Sequence, residues 1–194
     1  GLWDMGRATS CSFMFQKASI YNQGMSSWNT GEITSSEHMF NDAYAFNQAL
    51  DTWDVSKVTY MVRMFQFANS FDQDIGAWDV SRVSDMNTMF AQCHAFNQYV
   101  GSWDVSSATA LYHMFYQAYK FNQVLCWDLA GKDTRWMFDY ITTGSANPSH
   151  AKCSCPAGKY HNGASCASCP AGQFSVRGKS TVCTGCFVGN YCPT

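Results

Sequence analysis

A strict 25-residue period constrains this chain more than any other feature. Trp3, Trp28, Trp53, Trp78 and Trp103 recur at that interval, and Trp127 arrives one position early. Met14-Phe15, Met39-Phe40, Met64-Phe65, Met89-Phe90 and Met114-Phe115 keep the same spacing. So do Tyr21-Asn22-Gln23, Phe46-Asn47-Gln48, Phe71-Asp72-Gln73, Phe96-Asn97-Gln98 and Phe121-Asn122-Gln123. Self-similarity at such a period means stacked copies of one supersecondary unit, none of which buries its apolar face alone.

The unit from Trp53 to Ala77 shows what each copy is expected to form. Val58, Met61, Met64, Phe65 and Ala68 make a stripe at helical spacing, with Ser56 placed ahead of it as an N-cap. Phe71-Asp72-Gln73-Asp74-Ile75 is too short for a helix and suits a short strand. The expected fold class is therefore an α/β solenoid with one helix and one short strand per repeat. It covers residues 1–140 as five 25-residue repeats plus an atypical sixth. That sixth unit carries Gly131-Lys132-Asp133 at the helix entry and Arg135 in a core Met column.

The phrase F-N-Q-x-[LI]-x-x-W-D-V-S-x-V-[TS]-x-M-x-x-M-F-x-x-A resembles the repeat of BspA-like leucine-rich-repeat surface proteins. The resemblance implies a leucine-rich-repeat-like α/β solenoid on a cell surface, associated with adhesion and interaction, and no shared catalytic site.

Composition shifts after Tyr140. Residues 141–152 read as a linker of small polar residues and turn formers, and residues 153–194 as a small disulfide-rich module. Seven of the ten cysteines crowd that module: Cys153, Cys155, Cys166, Cys169, Cys183, Cys186 and Cys192. Cys155-Pro156-Ala157-Gly158-Lys159-Tyr160 and Cys169-Pro170-Ala171-Gly172-Gln173-Phe174 repeat one phrase, loosely echoed at Cys186. The phrase resembles cysteine-rich modules of ephrin-receptor-like and tumour-necrosis-factor-receptor-like ectodomains. That resemblance implies Cys155–Cys166 and Cys169–Cys183 bridges, with Cys186–Cys192 the least determined. Seven is odd, so one tail thiol needs a partner elsewhere. Cys11 and Cys93 fall in core columns, whereas Cys126 falls in an exposed one, so Cys126 is expected to bond Cys153. Cysteine density and compartment favour disulfides over a four-cysteine zinc site formed by Cys166-x-x-Cys169 and Cys183-x-x-Cys186.

Charged residues are only 13% of the chain and the net charge is −2, which leaves no basic footprint for nucleic acid or anionic lipid. No apolar run approaches the ~20 residues of a membrane span. No Lys/Arg-led signal sequence is present, and Gly1 already lies inside a repeat, so a preceding segment is expected to have been removed. The tail's cysteine usage places the chain outside the cell or on its surface.

Candidate chemistry is sparse. His38 and His113 share a column but lie three repeats apart, about 14 Å at ~4.8 Å per coil, too far for one ion. Asp54, Asp79 and Asp104 follow successive Trp residues and are weak calcium candidates, since carboxylates suit that ion. The competing role, acceptance of backbone N–H bonds in a turn, is favoured because Asn29 holds the same column. Asn22, Asn47, Asp72, Asn97 and Asn122 are expected to form a stacked polar ladder, and Trp28, Trp53, Trp78 and Trp103 a structural row. The adjoining Gln column belongs either to that ladder or to a binding face. No catalytic residues, metal or cofactor are expected. The reading is a non-enzymatic extracellular scaffold that self-associates head to tail in a surface or filamentous assembly. A receptor-like or adhesin ectodomain that binds protein or glycan through its repeat face is the alternative.

Overall fold

The computed structural model describes residues 5–123, 125 and 127–141, and beyond them the backbone of four short strands. Repeats lie on one another in register. Parallel bridges join Ser10 to Ser35, Ser35 to Tyr60, Tyr60 to Asp85, Asp85 to Ala110 and Ala110 to Asp133. Each step equals the repeat period until the last, from Ala110 to Asp133, which is shorter by two.

Neither the expected helix nor the expected strand forms. Among the described residues there is no helix, and no strand within the repeats. The α/β solenoid of leucine-rich-repeat type is therefore corrected: each coil is a chain of β-turns. In the third coil Val58 N–H donates to Val55 C=O, Met64 to Met61, Ala68 to Phe65, Phe71 to Ala68 and Trp78 to Ile75. The buried residues stand at the ends of these i→i+3 turns, so the core spacing of three and four comes from turn corners. A run of turns and a helix share that spacing, and the sequence pattern alone favours the commoner element.

The stretch expected as helix runs along the outside of the stack as a ribbon with split hydrogen bonding. Met64, Gln66 and Ala68 N–H close turns within the coil. The alternate residues Met61, Arg63, Phe65 and Phe67 donate to Asp85, Asn87, Met89 and Ala91 of the next coil, at 2.9–3.0 Å. A helix consumes its donors internally and leaves none for a neighbour. Splitting them forces a left-handed residue every fourth position: Phe13 and Lys17, His38 and Asp42, Arg63 and Phe67, Thr88 and Gln92, His113 and Gln117, Trp136 and Tyr140 all have φ between 50° and 64°. An L-residue costs roughly 1–2 kcal/mol there, most for a β-branched one. Thr88→Gly is accordingly expected to raise stability by about 1 kcal/mol in urea denaturation; a loss of stability would show that the threonine side chain contributes more than its backbone strain.

Three aromatic rows fill the interior. Phe15, Phe40, Phe65, Phe90, Phe115 and Phe138 stack at 5.5–5.7 Å between ring centroids. Tyr21, Phe46, Phe71, Phe96 and Phe121 stack at 5.9–6.3 Å beside them. Trp28 lies 6.0 Å from Trp53, and Trp103 lies 6.5 Å from Trp78 and 6.2 Å from Trp127. Indole N–H groups of Trp53, Trp78, Trp103 and Trp127 reach back to Met25, Leu50, Ile75 and Val100 carbonyls at 3.0–3.1 Å. Each of these four tryptophans thus fills the core and ties its coil to the one before.

The ends differ from expectation. The sixth unit is two positions short, so Thr134 rather than Arg135 stands in the column of Met61, Met86 and Leu111, Met137 continues that of Met64, Met89 and Met114, and Arg135 lies outside, 5.6 Å over the Tyr112 ring. In the first coil Met5, Cys11 and Phe15 are buried, and the exposed apolar side chains are Phe13 and Ile20.

In the tail, β1 (Lys159–His161) pairs antiparallel with β2 (Cys166–Ser168), and β3 (Gln173–Phe174) with β4 (Thr184–Gly185). The disulfide-rich module is cut back to what the described residues show: no disulfide forms among them, and Cys11 and Cys93 are free and buried, as their core columns implied. Cys126, Cys153, Cys155, Cys169, Cys183, Cys186 and Cys192, together with the Cys166 side chain and the linker 142–152, lie outside the described residues.

Candidate functional site

Polar side chains at the coil edges are spent on holding coils together. Asn22 Oδ1 accepts the Asn47 N–H at 2.9 Å and the Gln48 side-chain amide at 2.8 Å. Asn47 does the same for Asp72 and Gln73, Asp72 for Asn97 and Gln98, and Asn97 for Asn122 and Gln123. The Gln column, left open in the sequence, belongs to this ladder. A second ladder of hydroxyls joins Thr34, Thr59, Ser84 and Thr109 to the carbonyl one repeat earlier.

Among the described residues, each aspartate that follows a tryptophan closes its own turn. Asp54, Asp79 and Asp104 accept the N–H groups of Ser56, Ser81 and Ser106 at 2.9–3.0 Å, and Asn29 accepts that of Gly31 at 3.4 Å. Among the described residues no three His, Cys, Asp or Glu side chains gather as a metal site requires. Hydrogen bonds from Ser56 and Ser81 hold the Asp54 and Asp79 carboxyls below their ordinary value. Arg135 holds Asp133 down to about 2 through a paired contact at 2.8–2.9 Å. A carboxyl lowered on folding stabilises the fold above its unfolded value, and that contribution disappears as pH falls through the folded value. The melting temperature is therefore expected to hold steady from pH 7 to about 5 and to decline between about 4 and 2. In thermal melts across pH, Asp79→Asn shows less of this decline than the parent chain; an unchanged profile would refute the assignment.

Burial raises both thiols above their ordinary value. Cys93 donates to the Ala68 carbonyl at 3.0 Å, and Cys11 contacts the Ser36 hydroxyl at 3.4 Å. Neither has the thiolate character of a nucleophile.

Two exposed columns of the outer ribbon vary from coil to coil. The column of Phe13 continues as His38, Arg63, Thr88, His113 and Trp136, and that of Lys17 as Asp42, Phe67, Gln92, Gln117 and Tyr140. Its side chains stack along the axis: Phe13 on His38 at 4.7 Å, His113 against Trp136 at 5.4 Å. Where the ribbon ends, Tyr112, His113, Tyr116, Trp136, Asp139 and Tyr140 line an open cleft of about 290 Å3. Trp136 is 51% exposed and Tyr140 67%, which makes them the most accessible rings of that end. Sequence reasoning misses this cluster because Trp136 lies off the tryptophan period and the ribbon has the spacing of a helix. The signal available was the contrast between constant core columns and changing outer ones.

Residues 1–90 and 48–150 match a family described as "Mycoplasma protein of unknown function, DUF285". The chain belongs to this family. No curated protein and no solved structure matches it. The resemblance to BspA-like leucine-rich-repeat surface proteins is thereby corrected, since the matched family is one of unknown function and the repeats hold neither helix nor strand. The receptor-like reading of the tail is withdrawn as well: the matched span ends at residue 150.

Proposed function

We propose that this chain is a non-enzymatic scaffold protein of the cell surface or extracellular space, which acts by associating with copies of itself. One observation carries the reading: nearly every recurring side chain, from the ring rows to the Asn/Gln and hydroxyl ladders, is engaged with the coil before or after it. Such a lattice builds length and regularity. The carboxylates that invited a metal reading are bound within their own turns, and the described thiols are buried. The surface setting rests on the cysteine usage of the tail, where seven of the ten lie between Cys153 and Cys192.

Sedimentation velocity over a hundredfold concentration range, with negative-stain microscopy, tests this. Growing oligomers or filaments are the expected result, and a monomer at every concentration would refute it. The aromatic cleft at Trp136 and Tyr140 favours a second reading, an adhesin that binds protein or glycan through the outer ribbon. Exposed rings beside a carboxylate and amphipathic tyrosines are suited to such contacts. A monomer whose Trp136 fluorescence shifts on addition of an oligosaccharide would favour that alternative.

A further inference from the structure

We infer that the aromatic cleft between the fifth and sixth coils is a binding site for a compact organic cation, a methylated ammonium group such as that of choline. The site stands apart from the self-association reading, and neither depends on the other.

Rings gather at this junction of the outer ribbon. Tyr112 stands in the column of Glu37, Val62 and Asn87, and Tyr116 in that of Asn41, Gln66 and Ala91. Across the junction they meet Trp136 and Tyr140. The backbone fixes both walls: His113 and Gln117 N–H donate to the Arg135 and Asp139 carbonyls at 3.1 and 2.9 Å. Leu111 and Phe115 donate in the same way to Asp133 and Met137. The cleft therefore lies along the side of the stack, across two coils joined by the same ribbon bonds as the pairs before them.

The rings stand as walls at steep angles to one another. Tyr112 is turned 77° from Trp136 with centroids 5.4 Å apart, and Tyr116 is turned 79° from Tyr140 at 5.5 Å. His113 packs among them, 4.6 Å from Tyr116 and 5.4 Å from Trp136. One carboxylate lines the cleft, that of half-buried Asp139, and among the described residues it makes no hydrogen bond or ion pair. Aromatic faces attract a cation within about 6 Å of the ring centroid. Rings set at right angles, with a carboxylate beside them, hold such a cation from more than one side. A flat sugar instead needs a single open ring face and several convergent polar partners.

The chain already rests one cation on these rings. The Arg135 guanidinium lies 5.6 Å over Tyr112 and 5.9 Å over Trp136. Its charge is matched by Asp133 at 2.8–2.9 Å, and Arg135 does not line the cleft. Asp139 is thus left to a second cation. A primary ammonium such as that of lysine is strongly hydrated and asks for hydrogen-bond acceptors on every side. A methylated one asks for none and packs its methyl groups on the rings.

Titration of the full chain with choline, read from the choline methyl signal by proton NMR, tests the site. The signal should move upfield and saturate, because methyl groups held over aromatic rings are shielded. The uncharged analogue of choline, with a tert-butyl group in place of trimethylammonium, should bind at least about tenfold more weakly. Trp136→Ala and Asp139→Asn should each weaken choline binding about tenfold. Neither side chain is fully buried, so melting temperatures should stay close to the parent's. Flotation with vesicles of pure phosphatidylcholine separates the sources. Flotation that free choline competes away places the group on a lipid, choline binding without flotation assigns the free molecule, and either result supports the site. Equal affinity for choline and its uncharged analogue would overturn it, in a comparison that needs no variant. So would the absence of choline binding, or a chitin oligosaccharide bound in its place and lost in Trp136→Ala, which would favour the glycan reading. A chain that is monomeric and binds choline overturns self-association alone, and one that assembles without binding choline overturns the site alone.

Discussion

Phe65→Ala is expected to lower the unfolding free energy by about 3–5 kcal/mol, read from urea denaturation. Phe65 is fully buried and touches four rings: Phe40 at 5.5 Å, Phe90 at 5.7 Å, Phe71 at 4.0 Å and Trp78 at 6.3 Å. Two of those contacts lie within its own coil and one in each neighbouring coil. Truncation therefore removes transfer energy, leaves a cavity, and loosens two junctions at once. In a stack whose stability is a sum of coil and junction terms, an interior ring matters more than a terminal one. Phe15, still 8% exposed in the first coil, should cost roughly half as much when truncated. Equal losses at the two positions, or an interior loss under about 1 kcal/mol, would show that the ring row does not couple the coils.

The second large effect belongs to the polar ladder. Asp72→Ala removes the acceptor of the Asn97 backbone N–H at 2.9 Å and of the Gln98 amide at 2.8 Å. The half-buried Asn97 N–H is stranded, whereas the Gln98 amide keeps the Asp72 backbone carbonyl at 3.1 Å, and the expected loss is about 1–3 kcal/mol. Asp72→Asn keeps the acceptor oxygen and matches the residue found at Asn22, Asn47, Asn97 and Asn122, so it should stay within about 1 kcal/mol of the parent. The pair separates geometry from charge. If the asparagine variant were as unstable as the alanine variant, the carboxylate charge rather than the ladder would be the source of the stability.

The ladder and ring rows are legible in the sequence as register. A step that repeats four times brings like residues opposite one another, whatever the backbone does between them, and Asn22-to-Asn122 or Trp28-to-Trp103 can be read off as rows. The role of the aspartates is legible too, because Asn29 in the same column retains an acceptor and no charge. The terminal cleft is not. Counting from Trp127 as from Trp103 puts Arg135 in the core column of Leu111, whereas the last junction, Ala110 to Asp133, falls two short and turns Arg135, Trp136, Asp139 and Tyr140 outward. A deletion of that kind is invisible until the backbone shows which columns stay aligned.

Local conformation is the larger failure, and its cause is specific. Val58, Met61, Met64, Phe65 and Ala68 are spaced as on a helix, and also as at the corners of successive turns. What separates the two is the destination of alternate N–H groups. Inside one repeat only the helix satisfies them all. Beside a second repeat, carbonyls of the following coil take half of them, and the extra bonds offset the strain of left-handed Arg63 and Phe67. Residue order is enough to settle the period, the identity of the buried columns and the rows they form, because these depend only on which side chains recur. The turn-built ribbon and the alternation of its hydrogen bonds come from the stacked structure alone, because the acceptors that select them belong to a neighbouring coil and have no position until the coils are in place.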